Sequence, residues 1–142
     1  MSATGLEVFD TTVQKTNSWL KEMMEVLEWD DRQKTYRSMR AVLHALRDRL
    51  TVEEAADFAS QLPMLMRGFF YEGWKPAGKP LRERHKDQFL ARVAQELKED
   101  GYNNPALITS AVFSVIQTHV TDGEIEDVKR VLPRELQELW PA

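Results

Sequence analysis

The chain has 142 residues, 42% of them hydrophobic and 30% charged, which fits a single globular domain over residues 1–142 with its own core. It contains no cysteine, and this excludes disulfides, thiolate nucleophiles and cysteine-ligated metal sites. The net charge of −4 gives no general attraction for nucleic acid, so we do not expect a nucleic-acid partner. Neither an export signal nor an apolar run of about 18 residues is present, which predicts a cytoplasmic protein with no membrane partner.

The first half of the chain predicts four helices in succession. Apolar residues recur at three- and four-residue steps in TNSWLKEMMEVLEWD, residues 16–30, as on the buried stripe of an amphipathic helix. A second stripe runs through DDRQKTYRSMRAVLHALRDRL, residues 30–50, where Asp31 is placed to cap the helix start. Two shorter apolar-faced segments follow. They are separated at Leu62-Pro63, because proline disfavours helical geometry in the residue before it.

The same order of signals returns 70 residues later. TVEEAADFASQLP, residues 51–63, aligns without a gap to TDGEIEDVKRVLP, residues 121–133. Thr51 with Glu54, and Thr121 with Glu124, form the capping-box pattern, in which each side chain bonds to the backbone amide of the other residue. Asn104 followed by Pro105 predicts the start of a further helix in the second half.

These patterns predict an all-α fold of eight helices in two tandem four-helix units, about residues 10–71 and 80–141. The glycine- and proline-rich stretch EGWKPAGKP, residues 72–80, is predicted to connect them. Because four short helices cannot cover their apolar faces alone, we expect the two units to pack as one domain about an approximate twofold axis.

Familiar enzyme and metal-binding motifs are missing from the sequence. The residues three before His44, His85 and His119 are not glutamate, so the Glu-x-x-His pair of ferritin-like metal sites is absent. No His-Glu-x-x-His motif, phosphate-binding loop or Gly-x-Ser-x-Gly elbow occurs. We therefore expect no metal, no cofactor and no catalytic residue of a recognisable type. Enzymatic activity stays open, with a non-enzymatic protein favoured.

If the two units share a fold, a feature found in only one of them is the better candidate for function. One such feature is a cationic stripe within an arc of about 80° on the second helix. The stripe consists of Arg37, Arg40, His44 and Arg47. The matching residues of the second unit are Leu107, Ser110, Ser114 and Gln117. Two explanations are open: the arginines pair with Glu53, Asp57 or Glu72, or the stripe binds an anion or an acidic partner.

A second one-sided feature is aromatic. Tyr71 and Trp74, in RGFFYEGW, have counterparts only at or beyond the end of the chain, so the repeat imposes no structural task on them. Trp74 either holds the connector against the body or stays partly exposed as an anchor for a partner. Both residues are therefore candidate binding residues together with the cationic stripe.

The same residues carry a family resemblance. YRSMRAVLHALRDRLTVEEAADFASQLPMLMRGFFYEGW, residues 36–74, resembles the most recognisable stretch of a bacterial family of helical proteins known as domain of unknown function 2267. The tyrosine, the RAVLHALRDRL helix, the Leu-Pro break and the YEGW end occur in order, although Met39 stands where leucine is expected. The resemblance extends over nearly the whole chain. It implies a compact all-α domain of this length, and it implies no activity, cofactor or functional residue.

Two functions remain as expectations. The first is a small non-enzymatic protein that binds a protein partner, or a second copy of itself, through the first unit. The alternative is a small-molecule or anion-binding module, or an enzyme with an unfamiliar site, lodged between the two units. An apolar cavity between the units with converging polar groups would favour the alternative.

Overall fold

Every regular element that the structure describes is helical. The computed structural model describes residues 2–101 and 103–141, and these form eight α-helices with one 3₁₀ turn, Lys98–Asp100, between the fifth and the sixth. The helices are α1 (Glu7–Leu27), α2 (Arg32–Arg47), α3 (Val52–Ala59), α4 (Met64–Tyr71), α5 (Lys86–Glu96), α6 (Pro105–His119), α7 (Asp122–Val131) and α8 (Arg134–Gln137). The predicted all-α fold is confirmed.

Side-chain caps fix the starts of four of these helices. Asp31 accepts from the amide of the third helical residue at 3.0 Å and begins α2. Thr51 does the same for α3 at 3.1 Å, Asn104 for α6 at 3.1 Å and Thr121 for α7 at 3.3 Å. Each bond satisfies one of the amides that a helix start leaves without an intrahelical partner. The caps predicted at these positions are confirmed.

The other bond of each predicted capping box, between the glutamate side chain and the threonine amide, does not form, and that part of the prediction is wrong. The Thr121 amide donates to the side-chain oxygen of Gln61 at 2.9 Å rather than to Glu124. At Thr51 only the threonine half of the box forms. The physical reason is that the Oε2 atoms of Glu54 and Glu124 are buried where α3 packs against α7, and a hydrogen bond between their carboxyls contributes to the raised pKa of Glu124.

Helices of each half of the chain pack on helices of the other half. α1 lies against α6 and α5 lies against α2, while α2 contacts α6 and α3 contacts α7. At these contacts Trp19 stacks on His119 with ring centroids 4.6 Å apart, and the guanidinium of Arg49 lies 5.8 Å from the centroid of Phe89. The buried hydrophobic residues form one cluster with members from all eight helices. Each half thus covers apolar surface of the other.

The segment between α4 and α5 is longer than the predicted connector. It spans residues 72–85, because α5 begins only at Lys86. The segment is tied to the body where the Leu81 amide donates to the carbonyl of Asp48 at 2.8 Å and where Glu83 pairs with Arg49 at 2.6 Å. As a result α5 has 11 residues, whereas α1, which begins before the predicted start of the first unit, has 21.

Candidate functional site

The cationic stripe of α2 faces α5 and the end of α4. Arg37 pairs with Asp100 at 2.7 Å. Arg40 lies between two carboxylates, Glu72 and Glu96, with the Glu96 oxygen at 3.1 Å. Asp100 and Glu96 belong to the second half of the chain, so these two arginines tie the halves together.

His44 is the buried member of the stripe. Its Nε2 atom lies 2.7 Å from the carbonyl oxygen of Phe69, and its Nδ1 atom lies 3.1 Å from a carboxylate oxygen of Glu96. Both partners accept hydrogen bonds, so the ring satisfies both only with a proton on each nitrogen. Burial works to raise the pKa of Glu96, but the hydrogen bond from His44 and the charges of Arg40 and Arg47 outweigh it and lower that pKa.

Arg47 closes the end of α4. Its Nη1 atom donates to the carbonyls of Phe70 at 3.0 Å and Glu72 at 2.9 Å, and its Nε atom donates to Asp48 at 2.9 Å. The last carbonyls of a helix lack intrahelical donors and carry partial negative charge, so a buried guanidinium stabilises them. Arg47 is only 5% exposed. Its functional groups therefore point into the protein.

All four stripe residues have acceptors from their own chain. Of the carboxylates that the sequence suggested as partners, only Glu72 takes part. Asp100 and Glu96 were missed, because they lie more than 50 residues away in sequence and no local pattern links them to the stripe. The geometry is that of the intramolecular explanation, in which the stripe holds α4 and the second half in place.

Tyr71 and Trp74 are both half-buried. The Tyr71 ring lies 5.4 Å from the Phe70 ring and 5.3 Å from the Trp74 ring, measured between centroids. Trp74 packs against the hydrophobic core, and its amide donates to the Tyr71 carbonyl at 2.9 Å. This geometry holds the start of the connector against the body.

A groove that the sequence did not predict lies on another side of the first half. Its volume is about 1000 Å³. The first three turns of α1 form one wall, and the turn from α3 into α4 forms the other. The stacked pair of Trp19 and His119 lies between them, so a residue of the second half contributes to the lining.

Two exposed apolar side chains line this groove, Val8 on α1 and Met64 at the start of α4. Four more exposed apolar side chains lie on the same two segments but outside the lining of the groove: Leu6, Phe9, Val13 and Leu65. Leu6, Phe9 and Val13 continue, at three- and four-residue steps, the same stripe of α1 that is buried further along at Leu20 and Met23. The face that α1 buries inside the protein therefore runs on past the point where the chain covers it.

Hydrogen bonds fix the walls of the groove. Thr12 on α1 accepts from the Leu65 amide at 2.9 Å and so ties α1 to the start of α4. Arg67 donates to the carbonyls of Ala59 at 3.0 Å and Leu62 at 3.1 Å, closing the end of α3. His119 bonds to Glu22 through Nε2. Thr12, Arg67 and His119 therefore already have structural partners, and their bonds hold the shape of the groove before any ligand arrives.

The second half cannot form a matching groove. The residues at an offset of 70 from the start of α1 belong to the segment before α5, which is not helical. A sequence signal existed: the α1 stripe begins at Leu6, whereas the matching residues 76–85 contain two prolines and a glycine that break helical pattern. The prediction placed the start of the first helix too late to use it.

Two further properties bear on what this surface can hold. Within residues 2–101 and 103–141, no group of three or more histidine, aspartate or glutamate side chains is arranged to hold a metal ion. In the same residues, no helix has both the length and the apolar character needed to cross a membrane.

Comparison with known proteins gives a family match. The family model described as an uncharacterized conserved protein, DUF2267, matches residues 16–139. A search of curated proteins finds no match.

Proposed function

Because the chain belongs to the DUF2267 family, whose description assigns no activity, we propose its function from the geometry alone. The protein is a non-enzymatic binding module that holds an amphipathic helix of a partner protein in the groove between α1 and the α3–α4 turn. This groove lies mainly on the first half of the chain, with His119 as the contribution of the second half.

The observation that carries the proposal is that an exposed apolar side chain stands on each wall of the groove, Val8 on α1 and Met64 at the start of α4. Among the described residues, eleven large hydrophobic side chains are exposed, and six of them lie on the first turns of α1 and the start of α4. Scattered apolar residues are normal on a protein surface, but exposed apolar residues on both walls of a groove are typical of a site that binds protein. A helix that lays its apolar face into such a groove would remove these side chains from water.

The charges of the groove suggest the chemistry of the partner. Lys15 and Arg67 line it against one acidic residue, Glu7, on a chain whose net charge is −4. Complementary charge favours correct orientation and fast association. We therefore propose that the partner helix carries acidic residues beside its apolar face.

The comparison of the two halves supports the same surface. We interpret the halves as copies of one unit, because the helix order and the threonine caps recur at an offset of 70 residues. Under that interpretation the long α1 is an addition that folding of the unit does not need, since α5 serves with 11 residues. The cysteine-free composition and the family resemblance support a cytoplasmic setting in a bacterium.

A small apolar or anionic molecule is the alternative occupant. Its support is that the groove joins both halves at the Trp19–His119 stack and has a volume within the range of small-molecule sites. The two occupants differ in what they contact. A small molecule would sit at the stack, whereas a partner helix would also cover Val8 and Met64 at the open end.

Crosslinking followed by affinity measurement tests the proposal. A photoreactive amino acid at Val8 or at Met64 should capture one partner in the native cell, and the same residue at Val52 should not. The purified partner should then bind wild-type protein, and the Val8→Asp variant should bind it at least about tenfold more weakly, because an unpaired carboxylate would be buried.

Val52→Asp is the matched control. Val8 and Val52 lie in the first turns of α1 and α3 and are 53% and 43% exposed, and aspartate suits a helix start. Both variants should therefore fold. Equal affinity of the partner for Val8→Asp and wild type would refute the proposal. A crosslink confined to a small molecule would favour the alternative.

A further inference from the structure

The contact between α3 and α7 brings together two glutamates at equivalent positions. Glu54 and Glu124 are each the third residue of their helix, and each backbone amide donates to the threonine that caps that helix. The Oε2 atoms of both glutamates are buried where the two helices pack together, and a hydrogen bond between the two carboxyls contributes to the raised pKa of Glu124. A hydrogen bond between two carboxyls requires one proton, because two carboxylates have no donor.

The surroundings of this pair disfavour a second negative charge. Glu124 is 8% exposed, and the Oε2 atoms of both glutamates are buried without a hydrogen-bond partner in the described chain. The other charged groups that act on Glu124 are acidic too: Asp127 on its own helix and Asp57 on α3. Burial, then the hydrogen bond and charge of Glu54, then these aspartates raise the pKa of Glu124 to about 8.

A neighbouring contact between the same parts of the chain does not depend on a proton. The side-chain amide of Gln61, just after α3, accepts from the Thr121 amide at 2.9 Å and donates to the Thr121 hydroxyl at 3.1 Å. Arg130 pairs with Asp127 at 2.9 Å, and Asp57 on α3 adds a further negative charge that acts on Glu124. The bonds between Gln61 and Thr121 join neutral groups and do not change with pH, so they leave the carboxyl pair as the pH-dependent bond at this contact.

We propose that the proton shared by Glu54 and Glu124 is a latch between α3 and α7, which holds the helices together when bound and lets them separate when lost. Separated helices expose both carboxylates to water, where each can ionise without the other. The latch is independent of what occupies the groove, although Gln61 belongs to both regions and would move with α3.

The direction of the pH dependence follows from the raised pKa. The closed contact holds its proton up to about pH 8, whereas an open or unfolded chain releases it near the ordinary carboxyl pKa of 4.5. The stabilisation is fully present below that ordinary value, falls between the two values and is lost above about 8. Opening should therefore become about tenfold more frequent per pH unit over this interval and then level off.

Hydrogen exchange of the intact protein between pH 6 and 9, corrected for the intrinsic pH dependence of amide exchange, tests the latch. In wild type, the amides of α3 and α7 should open up to about tenfold more often per pH unit until about pH 8, while those of α2 serve as an internal reference. In Glu124→Gln the amide still donates to Glu54 but no longer titrates, so opening of α3 and α7 should be independent of pH. Glu126→Gln, on the exposed side of α7, should behave like wild type.

Two results would overturn the proposal. One is a wild-type opening frequency that does not change with pH. The other is the same pH dependence in Glu124→Gln as in wild type. If Glu124→Gln does not fold, Glu54→Gln is the substitute variant. Its side-chain amide donates from the α3 side of the pair, and it must then abolish the pH dependence.

Discussion

Arg47 and Gln117, which stand 70 positions apart, make equivalent bonds at the ends of α2 and α6. Arg47 donates to the carbonyls of Phe70 at 3.0 Å and Glu72 at 2.9 Å, and Gln117 donates to the carbonyl of Pro141 at 3.2 Å. Arg47 reaches the last turn of α4 and the residue after it, and Gln117 reaches the backbone after α8. The charge on Arg47 made the stripe look one-sided. Its structural role is the same as that of the neutral side-chain amide of Gln117 in the other half.

This equivalence predicts that the stripe residues differ in their contribution to stability. Arg47→Met should lower the free energy of unfolding by about 2–4 kcal/mol, because it leaves buried carbonyls unpaired. Arg37→Met should cost much less than Arg47→Met, because the Arg37 side chain is 44% exposed and its pair with Asp100 is screened by water. Arg47→Gln should recover part of the loss. Urea unfolding of the three variants measures these differences, and equal losses for Arg37 and Arg47 would contradict the assignment.

In the ion pair of Arg49 and Glu83, removal of the glutamate should lower stability much more than removal of the arginine. The Arg49 side chain is fully buried, and two of its nitrogens have no hydrogen-bond partner in the described chain. Burial lowers its pKa, although the charge of Glu83 opposes this. Glu83→Ala leaves that buried charge unpaired and should cost about 3–5 kcal/mol.

Arg49→Met, in contrast, should change stability by about 1 kcal/mol or less. Glu83 keeps a partner, since Arg92 donates to both of its oxygens at 2.7 and 3.1 Å. The hydrogen bond from Arg92 and the charge of Arg49 lower the pKa of Glu83, so its stabilisation is present above the ordinary carboxyl pKa and is lost as the pH falls. Thermal unfolding at neutral pH gives the order of the two variants, and a larger loss for Arg49→Met would disprove this explanation.

The tie between Gln61 and Thr121 should appear as an energetic coupling. Thr121→Ala and Gln61→Ala should each cost about 0.5–2 kcal/mol, because the first removes a helix cap and the second removes two hydrogen bonds. The double variant should lose less than the sum, since the two residues share the Thr121 hydroxyl. Thr51→Ala combined with Gln61→Ala is the control and should be additive, because Thr51 has no bond to Gln61. A double-mutant cycle in urea gives both values.

The helices could be predicted because their signals are local. A threonine followed by a glutamate, or an asparagine before a proline, acts within one turn, and the structure has a helix start at each such place. The reciprocal bonds of the capping boxes failed for a reason outside that turn. Only the meeting of α3 with α7 gives Glu54 and Glu124 a better partner than their own threonines.

The site could not be predicted to the same degree. Periodicity shows which face of a helix is apolar, but it does not show which helix covers that face. Arg37 pairs with Asp100 and Arg40 pairs with Glu96 because α2 packs against the second half of the chain. The groove forms where α1 extends beyond the helices that pack against it. This depends on how four segments pack together and cannot be read from the residues of one segment.

The packing of α1 on α6 and of α5 on α2 means that neither half of this chain is a smaller version of the protein. A fragment that ends within residues 72–85 would expose to water the face of α2 that α5 normally covers. The complementary fragment would expose the face of α6 that α1 normally covers. Each fragment alone would fold poorly and tend to aggregate, yet each carries the surface that covers the exposed face of the other. Cleavage in this segment would therefore yield two pieces that reassemble on mixing, and the covalent link would serve mainly to set their local concentration.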